Sequence, residues 1–312
     1  MKISFVIPCY RSELTLEGVV KEIRETMAGM TKYTFEIILV NDCSPDNTYE
    51  VIKKLAKEYD NIKGLCLAKN FGQHSALMAG LRESTGDITV CLDDDGQTPA
   101  NQVGLLLDAI ENGADVAYAR YAHKKHSLFR NLGSRLNDRM TRSMLGKPKD
   151  LYVSSYFAAK RYVVDEMCRY TNAYPYVIGL VLRTTKNIVN VDIEHRNREV
   201  GESGYTMGKL IALWLNGFTS FSIKPLRFFT AVGAITACLG FLYGIYTIIK
   251  KLFIQPDGLV VGFSALMSVI VFMGGLILLV LGLVGEYIGR MFISINNSPQ
   301  YVISERTDSK ND

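Results

Sequence analysis

The sequence has no Cys-x-x-Cys pair. Its six cysteines (Cys9, Cys43, Cys66, Cys91, Cys168 and Cys238) are scattered through 312 residues. That spacing excludes a zinc ribbon and a disulfide framework, and suits reduced thiols in the cytosol. Also missing is a Gly-x-Gly-x-x-Gly turn after the first apolar run, where Pro8-Cys9-Tyr10-Arg11-Ser12 stands instead. A dinucleotide-dependent dehydrogenase needs that turn to bring its backbone against a pyrophosphate. Neither charge sign dominates: 35 Lys and Arg face 31 Asp and Glu, a net of +4. No nucleic-acid partner is expected from that balance, although it suits a protein beside anionic lipid. The apolar run within residues 1–8 is too short for a signal peptide, so the first half is expected to stay where it is made.

What is present begins with alternation. Apolar runs at 3–7, 35–40, 62–67, 88–92 and 115–119 are separated by helical patterns near 13–29, 46–59, 73–84 and 99–112. Strands with little polar alternation are buried on both faces, as in a parallel sheet covered by helices. The expected class is therefore α/β, with a mostly parallel sheet and helices on both faces. Such sheets bind ligands at the carboxyl ends of their strands. Tyr10, Asn41-Asp42 and Asp93-Asp94-Asp95 each stand just past a predicted strand. Asp93 and Asp95, two apart with the amide Gln97 nearby, suit a hard cation, Mg²⁺ or Mn²⁺, that keeps phosphate oxygens among its ligands. Alternation turns Asp94 to the other face.

The second half changes character. Residues 127–145 read as an amphipathic helix, with Arg135, Arg139 and Arg142 beside the apolar arc of Phe129, Leu132, Leu136 and Met140. Such an arc can lie in a bilayer interface or pack on the sheet. Residues 206–225 carry a second mostly apolar helix with the single tryptophan, Trp214. Two uncharged stretches follow, 228–249 and about 260–285, each long enough to span a bilayer as a helix. The predicted organisation is a cytoplasmic catalytic domain over 1–205, an interfacial helix, a two-helix membrane domain over 226–290 and a cytoplasmic tail over 291–312. The tail after Ser298 is polar and is expected to be frayed.

Six segments in order carry a resemblance. They are Val6-Ile7-Pro8-Cys9-Tyr10, Val40-Asn41-Asp42-Cys43-Ser44-Pro45-Asp46, Lys69-Asn70-Phe71-Gly72-Gln73-His74-Ser75-Ala76, Leu92 to Pro99, Arg198-Glu199-Val200-Gly201-Glu202-Ser203-Gly204-Tyr205, and Gly285-Glu286-Tyr287-Ile288-Gly289-Arg290. Together they resemble the family 2 glycosyltransferases of GT-A fold. The likeness is strongest to the polyprenyl-phosphate branch: dolichol-phosphate mannose synthases, bactoprenol glucosyltransferases and undecaprenyl-phosphate formamido-arabinose transferases. The resemblance implies inverting transfer from a nucleoside diphosphate sugar, expected to be UDP-linked, to a polyprenyl phosphate at the inner face of a membrane. A homo-oligomer is implied as well.

The resemblance also implies roles. Pro8, Tyr10, Asp42, Lys69, Gln73 and Asp94 fall on the nucleotide-sugar side. Asp93, Asp95 and Gln97 would hold the metal and the diphosphate, and Arg198 would bind phosphate as a bidentate fork. Asp95, Arg198 and Asp150 are the catalytic candidates. Arg135, Arg139, Arg142 and Arg196 are the candidates for the acceptor phosphate and lipid. The chain departs from the pattern at Arg11-Ser12, where Asn-Glu is usual, at Lys69 for Arg, at Gly204 for Lys, and at Asp150, one residue early. A processive synthase would need a Gln-x-x-Arg-Trp segment, and Leu210-Ile211-Ala212-Leu213-Trp214 does not supply it. The alternative is a non-catalytic, membrane-anchored partner that binds a nucleotide sugar.

Overall fold

The computed structural model describes residues 1–121, 142, 147–194, 230–233, 235–236, 238–239, 242, 245, 263–296 and 298–307. It divides into two compact units, residues 1–214 with 297–312, and residues 215–296.

The first unit is an eight-stranded sheet. Its strands are β1 (Lys2–Cys9), β2 (Thr34–Asn41), β3 (Ile62–Leu67), β4 (Ile88–Cys91), β5 (Val116–Tyr121), β6 (Phe157–Lys160), β7 (Ile188–Ile193) and β8 (Ile303–Thr307), in the spatial order β7-β5-β6-β4-β1-β2-β3-β8. Six strands run one way, while β6 and β8 oppose them. β1 is buried along nearly all its length, which explains its unbroken apolar run. The five predicted strands all form, within two residues at each end.

The helices are α1 (Leu16–Ala28), α2 (Thr48–Glu58), α3 (Gln73–Glu83), α4 (Val103–Glu111), α5 (Arg161–Cys168) and α6 (Val177–Thr184). α1 buries Leu16, Val19, Val20, Ile23 and Met27, one stripe at helical spacing. With α2 and α4 it covers one face of the sheet in a continuous core. α3 lies on β1 and β2 and packs against α5 and α6 on the other face. Helices on both faces are what the alternation implied.

Strand order sets the position of the site. From β1 the chain steps outward to β2 and β3, then returns to β4 on the other side of β1. β1 and β4 stay in register only as far as Val6 and Cys91. Beyond that point their carboxyl ends part, and ligands bind in such a crevice. Pro8 lies past the last β1–β4 pair, so its missing N–H leaves no rung of that ladder broken.

One expectation is corrected. The tail after Ser298 is not frayed as far as residue 307: β8 pairs antiparallel with β3 and seals that edge of the sheet. Its sequence, Ile303-Ser304-Glu305-Arg306-Thr307, is polar because an edge strand has a solvated face. At Gly64 of β3, a Cβ would lie 2.7 Å from Thr307 Oγ1 and 2.4 Å from Ile52, so only glycine admits the strand this closely. The second uncharged stretch ends at 285, but the helix that carries it does not. Helix α7 (Phe263–Ile295) continues ten residues further, because nothing before Pro299 interrupts its hydrogen bonding.

Among the described residues, one helix is long and apolar enough to cross a membrane, in its window Phe272–Ile293. Its 22 residues rise about 33 Å, a bilayer core. The described positions of 230–245 are helical, but the first predicted span is otherwise outside the described residues. So are the interfacial helices, apart from Arg142, which is helical and half-buried.

Candidate active site

The site is assembled from four loops at the carboxyl edge of the sheet. β4 ends at Cys91, and Leu92 N donates to Val6 O. Asp93, Asp94 and Asp95 then stand half-buried in a tight turn that needs Gly96 at φ 72°. Each carboxylate faces a different neighbour. Asp93 accepts hydrogen bonds from Gln73 Nε2 at 3.0 Å and from Ser155 Oγ. Asp94 accepts from Tyr10 N at 3.0 Å and from Ser12 Oγ, and its main-chain oxygen accepts from Thr15 Oγ1. Asp95 accepts from Gln97 N at 3.1 Å, closing the turn. Asp94 thus points into the β1–α1 loop, away from Asp93, as alternation implied.

The neighbouring loops are braced against one another. Asp42, buried at the end of β2, accepts from Phe71 N at 2.7 Å and Gly72 N at 2.8 Å. Gly72, at φ +89°, opens α3 directly before Gln73. Arg11 and Cys43 hold positive φ angles of 59° and 51° at the ends of β1 and β2. Left-handed backbone at non-glycine residues stores strain and clusters at ligand sites. Arg11 N donates to Ser44 Oγ, and Glu13 accepts from Asn47 N. Glu13 is therefore spent on joining the two loops. At the rim, Tyr10 is exposed, with Arg11 5.6 Å from its ring centroid, and Lys69 Nζ lies 5.0 Å from the Phe71 ring centroid.

Hydrogen bonds relieve the electrostatics only in part. Burial, joined by the negative charges of Asp95 and Asp94, pushes the Asp93 carboxyl up to about 6. Burial likewise raises Asp94 and Asp42. Tyr121, at the end of β5, is raised by burial and by the charges of Asp93 and Asp95, so it too belongs to this cluster. Among the described residues, no group of three or more His, Cys, Asp or Glu is arranged to hold a metal ion unaided. Two carboxylates that repel each other at an open strand end fit a hard cation completed by ligand oxygens.

Asp93, Asp94, Asp95, Gln97, Gln73, Asp42, Pro8 and Tyr10 fall at this one edge. Asp150 is exposed in the turn before Leu151, and from that segment it is Ser155 that reaches Asp93. Arg135, Arg139, Arg196 and Arg198 lie outside the described residues. Ser12, Thr15, Ser155 and Tyr121 are site residues that sequence reasoning did not single out. Ser12 enters the sequence reading only as part of a segment, and no spacing rule joins it or Ser155 to the acidic turn.

A sheet that reverses strand order at its centre, with paired carboxylates at the reversal, is an α/β fold with an acidic site at its switch point. The chain belongs to glycosyl transferase family 2, whose model matches residues 4–168, and it is a glycosyltransferase. A second model, the GtrB C-terminal hairpin, matches residues 224–291 and covers both apolar stretches. The chain is 32% identical over 305 residues to the undecaprenyl-phosphate 4-deoxy-4-formamido-L-arabinose transferase of Yersinia enterocolitica, covering 97% of this chain and 93% of that one. The same transferase from Photorhabdus laumondii is 31% identical over 307 residues, covering 97% and 94%. Among solved structures, glucosyl-3-phosphoglycerate synthase from Mycobacterium tuberculosis superposes with a TM-score of 0.52 at 20% identity, over 70% of this chain and 78% of that one. Its complex with Mn²⁺, UDP-glucose and phosphoglyceric acid gives 0.51 at 18% identity, over the same shares. At such identities the likeness is one of fold.

Proposed function

We propose that the protein transfers a sugar, with inversion, from a nucleoside diphosphate sugar to a polyprenyl monophosphate at a membrane surface. The observation that carries this reading is the joining of two features in one chain. One is a cluster of mutually repelling carboxylates at the switch point of a family 2 fold. The other is an unburied helix of membrane-spanning length. The curated relatives, named for transfer to undecaprenyl phosphate, support the acceptor class. The solved neighbour with Mn²⁺ and UDP-glucose supports a divalent ion and a UDP-linked donor.

Asp93 and Asp95, with the Gln97 side chain, would hold Mg²⁺ or Mn²⁺. When bound, the ion supplies charge neutralisation for the departing diphosphate. Gln73 and Ser155 fix the two oxygens of Asp93, so that carboxylate meets its ligand already oriented. Asp94 ties Tyr10 and Ser12 to the strand end, which sets the β1 wall of the donor cleft. The exposed Tyr10 ring, with Arg11 and Lys69 at the rim, offers a flat face and positive charge to a nucleoside diphosphate. Arg198 is assigned to the diphosphate, and Arg135, Arg139, Arg142 and Arg196 to the acceptor. A phosphate monoester has a second pKa near 6, so the acceptor is already a nucleophile at neutral pH. It needs positioning more than a base, and Asp150 is dispensable in this scheme.

The full chain in detergent, given UDP-sugars and undecaprenyl phosphate with Mg²⁺ or Mn²⁺, is expected to form a lipid-linked sugar that a chelator abolishes. Binding of UDP-sugar without any product, across a panel of sugars and both metals, would instead make it a nucleotide-sugar-binding partner.

A further inference from the structure

The C-terminal segment grips more than the edge of the sheet. Ahead of β8, Gln300 is only 5% exposed. Its amide nitrogen donates to the main-chain oxygens of Asn172 at 3.0 Å and Tyr170 at 3.5 Å, while its amide oxygen is buried with no partner. An amide buried at that cost is held in place by its donated bonds. Next to it, the Tyr301 ring centroid lies 5.3 Å from the Arg82 guanidinium. The same guanidinium donates to Tyr170 O at 2.8 Å and Cys168 O at 3.4 Å. Arg306 pairs with Glu83 at 2.7 Å. Residues 300–306 therefore clasp the last turn of α3 and the loop that joins α5 to α6.

The far end of that loop reaches the site. Tyr176 caps α6 and meets His74 edge to face, with ring centroids 5.3 Å apart at 79°. His74 is the second residue of α3, and its Nδ1 is buried with no hydrogen-bond partner. Burial pushes the imidazole down to about 4, so it is neutral and Tyr176 seats it by ring packing. Its neighbour Gln73 donates to Asp93. The two ends of the 169–176 loop thus touch the C-terminal segment and the first turn of α3.

We infer that Gln300 is a positioning residue for the donor site: through the 169–176 loop it seats Tyr176 on His74, and so sets where Gln73 holds Asp93. The inference rests on the proposed donor site. The competing role is edge sealing alone, in which β8 protects β3 and nothing further. Contacts in series are not coupling, so the test must read the far end.

Hydrogen exchange on the full chain in detergent, with no substrate present, separates the two. Gln300→Ala is expected to speed exchange at residues 170–176, and at the Ser75 and Ala76 amides that donate to Gly72 O, by at least about tenfold. The amides of β1 and β2 should keep their protection. Arg82→Lys, which disturbs the same loop from α3, should give the same pattern. With product as the readout, Gln300→Ala should lower kcat about tenfold while the acceptor KM and the melting temperature hold. Faster exchange confined to β3 and residues 302–307, in both variants, would overturn the inference. If wild-type protein transfers no sugar, the reaction proposed above fails, but the exchange map still decides the coupling.

Discussion

The two edges of one sheet treat buried carboxylates in opposite ways. At the amino-terminal edge, Glu36 of β2 is 3% exposed and lies beside Ser4 of β1 in register. Burial alone would raise its carboxyl. Hydrogen bonds from Ser4 Oγ, Thr85 N, Lys2 Nζ and Thr85 Oγ1 outweigh that and hold it down at about 2, and Lys63 adds a further pairing at 3.3 Å. At the carboxyl edge, burial, joined by the charges of Asp95 and Asp94, outweighs the hydrogen bonds from Ser155 and Gln73 and pushes Asp93 up to about 6. Enough donors turn a buried charge into a structural tie, whereas burial beside like charges with fewer donors leaves a raised carboxyl, which suits the proposed cation. One strand length therefore separates a carboxylate that stabilises the fold from carboxylates that the fold tolerates for use.

The largest break in that contrast should come at the carboxyl edge, in rate. Asp95→Ala is expected to cut transfer by roughly a thousandfold or more at saturating Mn²⁺, equivalent to about 4 kcal/mol of transition-state stabilisation. Its melting temperature should hold or rise, because a repelling charge is gone. Asp93→Ala should behave alike and Asp94→Ala more mildly, with lipid-linked product followed over a metal titration. Wild-type turnover in Asp95→Ala would remove the metal assignment.

At the other edge the effect should be on stability. Glu36→Ala leaves Ser4 Oγ, Lys2 and Thr85 without their shared acceptor and should cost about 3 kcal/mol in urea unfolding. The protein that remains folded should keep normal kcat. A drop in kcat that exceeds the loss of folded protein would mean the two edges are not independent.

Acid sharpens the comparison. The Glu36 carboxyl is depressed on folding, so the unfolded chain takes up its proton first as pH falls. The stability that Glu36 supplies is complete above about 4.5 and lost progressively down to about 2, some 3 kcal/mol in all. Unfolding curves between pH 5 and 2 should show that loss, and Glu36→Gln should flatten it. An unchanged slope would transfer the acid sensitivity to other carboxylates.

The smallest effect belongs to the residue that orients Asp93. Ser155→Ala removes one donor from a carboxylate that keeps Gln73, and should lower kcat about fivefold, near 1 kcal/mol. It should also weaken Mn²⁺ dependence only slightly. A loss as large as that of Asp95→Ala would make Ser155 a direct ligand-side residue.

Much of this was legible in the chain. β1 to β5 were readable because strands buried on both faces write mostly unbroken apolar runs, and α1, α2 and α4 because each buries one stripe, whereas α3 is buried through Ser75–Leu81 on every side. The acidic turn was legible because Asp93 follows an apolar strand end. β6 was not, since Phe157-Ala158-Ala159-Lys160 is four residues long and rich in alanine, and its partners on both sides make it a strand. β8 was missed because its polar sequence writes no apolar run. Ser12 and Ser155 meet their carboxylates across 82 and 62 residues of chain. Contacts of that range arise from the order of strands, which no local pattern encodes.

The returning strand has a consequence in time. The rung between Gly64 and Thr307 closes across 243 residues. A ribosome that has finished β3 must therefore make everything through α7 before the sheet can be completed. At about 5–20 residues per second this interval lasts roughly 12–50 s. Throughout it the nascent catalytic unit carries an unpaired edge strand, open to any other extended chain. Completion of that sheet is thus an event of late synthesis, reached only after the apolar helix has left the ribosome. A release or cleavage between β7 and β8 would yield a unit that holds every acidic site residue yet has one edge of its sheet unfinished.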